Sequence, residues 1–199
     1  MKDDERAVAE RRQIFKLASA VSDIRAAHQA AQYAAEKVDD MYHALWAPLQ
    51  DAIVISYVRP FTANKPHGPL PEKWSKFESR LQERIHADLI GLRHRVVAHS
   101  DGHVRQVIVV PSGVSYVGGR RSEGVGFAVT SDKLFPDKFA EITDHCQELG
   151  SRLYGELRSE LERAFTSPET PRYPFDLITG EREDLPGGVI LRAEMHDFA

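Results

Sequence analysis

The 199-residue chain holds a single cysteine, Cys146, which excludes an intramolecular disulfide and any multi-cysteine metal centre and fits a reducing compartment. Its place in a helical pattern between His145 and Gln147 marks it as a partly buried structural thiol rather than a reactive one. No run of about 18 apolar residues is present, so no membrane-spanning helix is expected. Residues 2–6 are charged and lead into a helical pattern instead of an apolar signal segment, which points to a cytoplasmic protein. Positive charge is not in excess: the net charge of −4 argues against a basic surface that coats nucleic acid without regard to sequence. A nucleophile elbow, a Walker loop, a dinucleotide fingerprint and paired zinc-knuckle spacing are also missing. Residues 118–126 are glycine-rich, but they lack the Gly-Lys-Ser/Thr ending of a phosphate loop and lie between β-like runs.

What is present predicts a mainly α protein with one core. Residues 1–60 read as helix: Val8, Ile14, Phe15, Leu17, Ala18, Val21 and Ile24 recur at helical spacing, and an alanine-rich stretch follows to Lys37. Asp39 or Asp40 is a candidate cap for a second helix carrying Trp46, Ile53, Val54 and Tyr57, in which Pro48 predicts a kink or break. A third helix is expected over 72–99, with Ile85, Leu89, Leu92 and Val96 on its core face and Ser100-Asp101-Gly102 as its stop. The period then changes to β-rich runs at 104–110, 114–117 and 125–130. A last long helix over 135–165 follows, with Phe139, Ile142, Cys146, Leu149, Leu153, Leu157 and Leu161 as its stripe. The expected fold is an antiparallel helical bundle over residues 1–166, with a small β-hairpin or meander inserted at about 103–131, before the last helix. Residues 167–199 form a Pro/Gly-rich tail that either wraps the body or stays mobile. Trp46, Tyr57, Phe61, Trp74 and Phe77 sit at helical spacings among apolar residues and read as core and helix-junction anchors rather than base-stacking platforms.

Chemistry concentrates near the end of the third helix. Although the chain is acidic overall, residues 80–105 carry Arg80, Arg84, Arg93, Arg95 and Arg105 with His86, His94, His99 and His103, against only Glu83, Asp88 and Asp101. Guanidinium binds phosphate and imidazole moves protons near neutral pH, which together suit phosphodiester chemistry. On an ideal helix His86 and Arg93, seven positions apart, point almost the same way. His99, six positions beyond Arg93, points about 120° away and lies roughly 9 Å further along the axis. One regular helix therefore cannot bring Arg93 and His99 to one phosphate. Either the last turn unwinds at His99-Ser100, or a second copy of the chain completes the site, and Ile90 and Val97 offer apolar surface for such a two-fold contact.

Arg93, the polar residue His94 directly after it, and His99 resemble the Arg, polar, four-to-six spacing, His signature of the HEPN superfamily, an all-helical fold that includes many prokaryotic RNases of toxin-antitoxin, abortive-infection and CRISPR systems. Residues 57–61 (Tyr-Val-Arg-Pro-Phe) and 92–101 also look like an uncharacterised bacterial HEPN-like group related to abortive-infection proteins, and the resemblance covers about residues 38–101 and, more loosely, the last long helix, with the β insert and tail outside it. It implies metal-independent endoribonuclease activity at a site shared by a homodimer, with RNA as substrate, no cofactor and an antitoxin protein as a further partner. In these terms Arg93 neutralises charge building up on the phosphate, His99 is the acid-base group for the ribose 2′-OH or the leaving 5′ oxygen, and His94 orients. Arg59, His86, Ser100, Asp101, Arg120 and Arg121 are further candidate binding residues, read from their positions. A non-catalytic HEPN-like module that binds RNA or protein is the alternative. His99, Asp101 and His103 also allow a metal-site reading, but no second cluster supplies a fourth ligand and Ser-Asp-Gly equally stops a helix, so no metal is expected.

Overall fold

The computed structural model describes residues 2–40, 43–63, 68–93, 106–115, 121, 123–130, 134, 137–166, 176–179 and 181–182. Within them the chain is mainly helical, a bundle of four helices: α1 (Lys2–Lys37), α2 (Trp46–Val58), α3 (Arg80–Leu92) and α4 (Lys138–Phe165). α1 packs along both α2 and α4, and α3 makes smaller contacts with the same two. None of the described helices is long and apolar enough to cross a membrane.

The core face of α1 matches the expected pattern only in part, because Val8 and Ala18 are exposed and Phe15 and Val21 only partly buried. Ile14, Leu17 and Ile24 of the expected pattern are buried, and Ala20, Ala27, Ala31 and Ala34 complete the buried stripe, which steps by three or four. Beyond Ile24 alanine takes every buried position of the helix. A methyl group leaves room for a neighbouring helix to approach closely, and alanine loses no side-chain entropy on burial.

α2 begins at Trp46, not at the acidic pair. Its N-cap is Leu45, with no side-chain hydrogen bond, and Pro48 falls in the first turn. There the missing N–H would have had no intrahelical partner, so the proline starts the helix instead of breaking it. α2 buries Trp46, Gln50, Ile53, Val54, Tyr57 and Val58, and a short 3-10 turn, Arg59–Phe61, ends it.

The helix expected over 72–99 is divided. Glu72–Ser75 form a separate 3-10 turn that buries Trp74, Lys76 is extended, and α3 starts only at Arg80. Ser79 decides that start: its Oγ accepts from the Leu81 N–H at 3.2 Å, so an N-cap interrupts the periodicity. Ile85, Leu89 and Leu92 are buried as the stripe requires, while residues 94–99 lie outside the described ones.

Between α3 and α4, β1 (Gln106–Val110) pairs antiparallel with β2 (Gly126–Thr130), from Gln106 opposite Thr130 to Val110 opposite Gly126. Gly113 adopts φ +83°, a left-handed turn conformation that L side chains resist. The α4 stripe from Phe139 to Leu157 is buried, but Leu161 is not. Leu177 packs on the core, so this part of the tail returns to the body.

The segment entering α4 is tied to α2 through both backbone groups of Leu134. Its N–H donates to Gln50 Oε1 at 2.6 Å, and its carbonyl accepts from Trp46 Nε1 at 3.2 Å. Gln50 is only 3% exposed, so Gln50→Leu would leave the Leu134 N–H in the core without a partner. A loss of about 1–3 kcal/mol in urea unfolding is expected, and a loss under about 0.5 kcal/mol would show that the tie contributes little.

Candidate functional site

Three polar side chains from three helices meet inside the bundle. Tyr57 near the end of α2 points into the core, where its hydroxyl lies 2.8 Å from His86 Nδ1 on α3 and 2.7 Å from His145 Nε2 on α4. Tyr57 stands four residues beyond Ile53 and three beyond Val54, and His145 three beyond Ile142 and four before Leu149, so both lie on the apolar faces of their helices. His86 sits beside the buried Ile85 and Leu89 and is half-buried.

Aromatic rings wall the three groups. Phe61 meets His86 edge-on, with ring centres 4.7 Å apart and planes at 79°, and Phe77 lies 5.3 Å from His86 and 4.8 Å from His145. Arg152 stacks over Trp74 and Phe77 at 5.7 and 5.8 Å, bringing a positive charge towards His145.

Burial sets the charge state. The His145 pKa is pushed down to about 4, first by burial and then by His86 and Arg152, and burial lowers that of His86. Tyr57 is raised well above the ordinary phenol range, chiefly by burial, and burial pushes the Cys146 thiol up to about 12. At neutral pH the cluster is therefore an uncharged chain of hydrogen bonds, able to fix ring orientation and relay proton positions between helices. Cys146 is buried and protonated, as its place in the α4 stripe implies.

Of the residues singled out from the sequence, Arg93 caps the C-terminal end of α3. It is half-buried, its backbone N–H donates to the Leu89 and Ile90 carbonyls, and among the described residues it has no ion-pair partner. His86 lies two turns earlier on the same helix. Arg59 pairs instead with Asp23 on α1 at 2.5 Å, turning its guanidinium to that helix; burial raises the Asp23 pKa against the pull of the arginine. Arg121 is exposed and forms an isolated antiparallel bridge with Ser115, in the segment between β1 and β2. His94, His99, Ser100, Asp101 and Arg120 lie outside the described residues, as does the His99-Asp101-His103 metal alternative. Among the described residues no group of three or more His, Cys, Asp or Glu side chains is arranged to hold a metal ion.

Tyr57 and His145 were not among the expected site residues. Tyr57 reads as a core anchor, which it is, and its hydroxyl gives no sequence signal. A histidine on the apolar stripe of α4 is the one usable clue, because a buried imidazole needs a hydrogen-bond partner. No family model, curated protein or solved structure matches this chain.

Proposed function

We propose that the protein is a metal-independent endoribonuclease of HEPN type, acting in bacterial defence or as a toxin, with a composite site at a homodimer interface. On this reading the bundle is antiparallel and HEPN-like, and the β1–β2 pair is a hairpin inserted before the last helix. The observation that carries it is the position of Arg93 at the C-terminal end of α3, half-exposed and unpaired among the described residues. The negative end of the α3 dipole favours an always-charged side chain there without neutralising it, which leaves the guanidinium available to a phosphate. The mainly helical bundle agrees with the fold that the Arg93-His94…His99 resemblance implies.

Chemically, Arg93 offsets the extra negative charge on the phosphoryl oxygens as the transition state forms. His99 takes the proton from the ribose 2′-OH or returns one to the leaving 5′ oxygen, and His94 orients the group. The test is expression of the wild type beside the Arg93→Ala/His99→Ala double variant, with the purified proteins assayed on RNA in EDTA. Toxicity and chelator-resistant cleavage that vanish together in the double variant support the nuclease. Cleavage that survives both substitutions overturns the assignment.

A further inference from the structure

We propose that His86 contacts the RNA strand next to the Arg93 site as a neutral hydrogen-bond donor through Nε2, and that Tyr57 and His145 are positioning residues that hold it in that tautomer. The inference rests on the nuclease reading and adds a substrate contact to the same site.

The direction of the hydrogen-bond chain follows from one orphan atom. Tyr57 Oη has a single proton and stands between two ring nitrogens, so it donates to one and accepts from the other. Among the described residues, His145 Nδ1 is buried without a partner. If Tyr57 donated to His145 Nε2, the neutral imidazole would carry its own proton on Nδ1, leaving an enclosed N–H unpaired. Such a donor is rarer and more costly than an enclosed bare acceptor. The favoured order therefore has His145 Nε2–H donating to Tyr57 and the Tyr57 hydroxyl donating to His86 Nδ1. The one proton of neutral His86 is left on Nε2.

That atom is available. His86 is only half-buried, and its Nε2 is not among the enclosed polar atoms that lack a partner. Phe61 and Phe77 clamp the ring, so the direction of the N–H is set before any ligand arrives. Seven residues separate His86 from Arg93, which puts both on one face of α3 with about 10 Å between them along the axis. Two donors facing the same way, one neutral and one cationic, suit an extended single strand with repeated phosphate and ribose oxygens. Burial lowers the pKa of His86 and so keeps it uncharged at neutral pH.

Two substitutions separate the inner contact from the outer one. His86→Asn keeps a polar group near the Nδ1 position, facing Tyr57, and removes the outer N–H. His86→Gln reaches the outer position and gives up the inner one. With a fluorescein-labelled single-stranded RNA, His86→Asn is expected to weaken binding about tenfold with an unchanged melting temperature, and His86→Gln to recover most of the loss. A purely structural histidine gives the reverse order, which would overturn the proposal. Since the donor is neutral, His86→Asn leaves the salt dependence of binding unaltered, whereas Arg93→Ala flattens the log–log slope by about 0.7 for a single lost phosphate contact.

Tyr57→Phe tests the positioning role. Nitrogen-15 NMR of wild-type His86 is expected to show the Nε2–H form alone, and Tyr57→Phe a mixture of tautomers with weakened RNA binding. An unchanged tautomer in Tyr57→Phe overturns the positioning claim. RNA binding by the wild type that His86→Asn fully preserves overturns the contact alone, whereas a wild type that neither binds nor cuts RNA overturns the nuclease reading as well.

Discussion

Mixing the Arg93→Ala and His99→Ala proteins, each inactive alone, is expected to restore about a quarter of wild-type RNA cleavage if the site is shared across a two-fold axis. Each substitution by itself is expected to cost about 10²–10³-fold in rate, the usual effect of removing a charge-stabilising donor or an acid-base group from a transition state. The recovery follows from counting sites. In a randomly exchanged mixture about half of the dimers carry one subunit of each kind, and one of the two sites in such a dimer pairs an intact Arg93 with an intact His99. The motivation is the sequence expectation that a helix continued to residue 99 turns His99 about 120° away from Arg93 and sets it roughly 9 Å further on; α3 itself is described to Leu92, with Arg93 as its cap. Initial rates on a fluorogenic single-stranded RNA, taken after subunit exchange, read the outcome. A mixture no more active than its components would mean that both groups come from one chain, and the composite site would be lost.

Acid is expected to remove about 3 kcal/mol of stability through His145 alone between pH 6.5 and pH 4. The imidazole is 2% exposed, and its folded pKa lies at about 4 against 6.5 unfolded, mainly because burial penalises the cation. Above pH 6.5 neither state carries the proton and the contribution is fully present. As the pH falls below 6.5 the unfolded chain takes up a proton that the folded chain refuses, so the equilibrium shifts towards unfolding. The slope ends near pH 4, where the folded state also protonates. Carboxylates titrate over part of the same range, so the informative quantity is the difference between wild type and His145→Gln. The amide nitrogen of that variant can still donate to Tyr57 but cannot titrate. Urea midpoints at pH 7, 6, 5 and 4 are expected to converge or cross as the pH falls. Parallel curves would show that His145 is not the source of the acid sensitivity.

The stripes of α3 and α4 were legible because a residue repeating every three or four positions faces the same side of its helix, whatever that side meets. The buried thiol of Cys146 followed from its place on such a stripe. The start of α3 was missed because Ser79 caps it locally while Trp74 and Phe77 continue an apolar pattern through a segment that is not one helix. The acidic pair before α2 was over-read, since Leu45 and a first-turn proline begin that helix without a side-chain cap. The face of α1 was legible at Ile14, Leu17 and Ile24 but not at Ala20, Ala27, Ala31 and Ala34, because bulky residues count for more than alanine in a hydrophobic pattern, although close helix packing favours the smaller side chain.

The candidate site divides the same way. Sequence alone determined that His86 and Arg93 share one helix face and that the surrounding segment is locally basic in an acidic chain, since both follow from residue order without knowing what the helix packs against, whereas the end of α3 at Leu92, with Arg93 as its cap, lies short of the residue 99 that the sequence suggested. Only the tertiary structure decided that Arg59 pairs with Asp23 and that Tyr57 lies between His86 and His145, partners 29 and 88 residues away. Contacts of that kind depend on how far each helix slides and turns against the next. That register is set by the packing of whole faces, alanine against bulky side chain, which no single stretch of sequence contains.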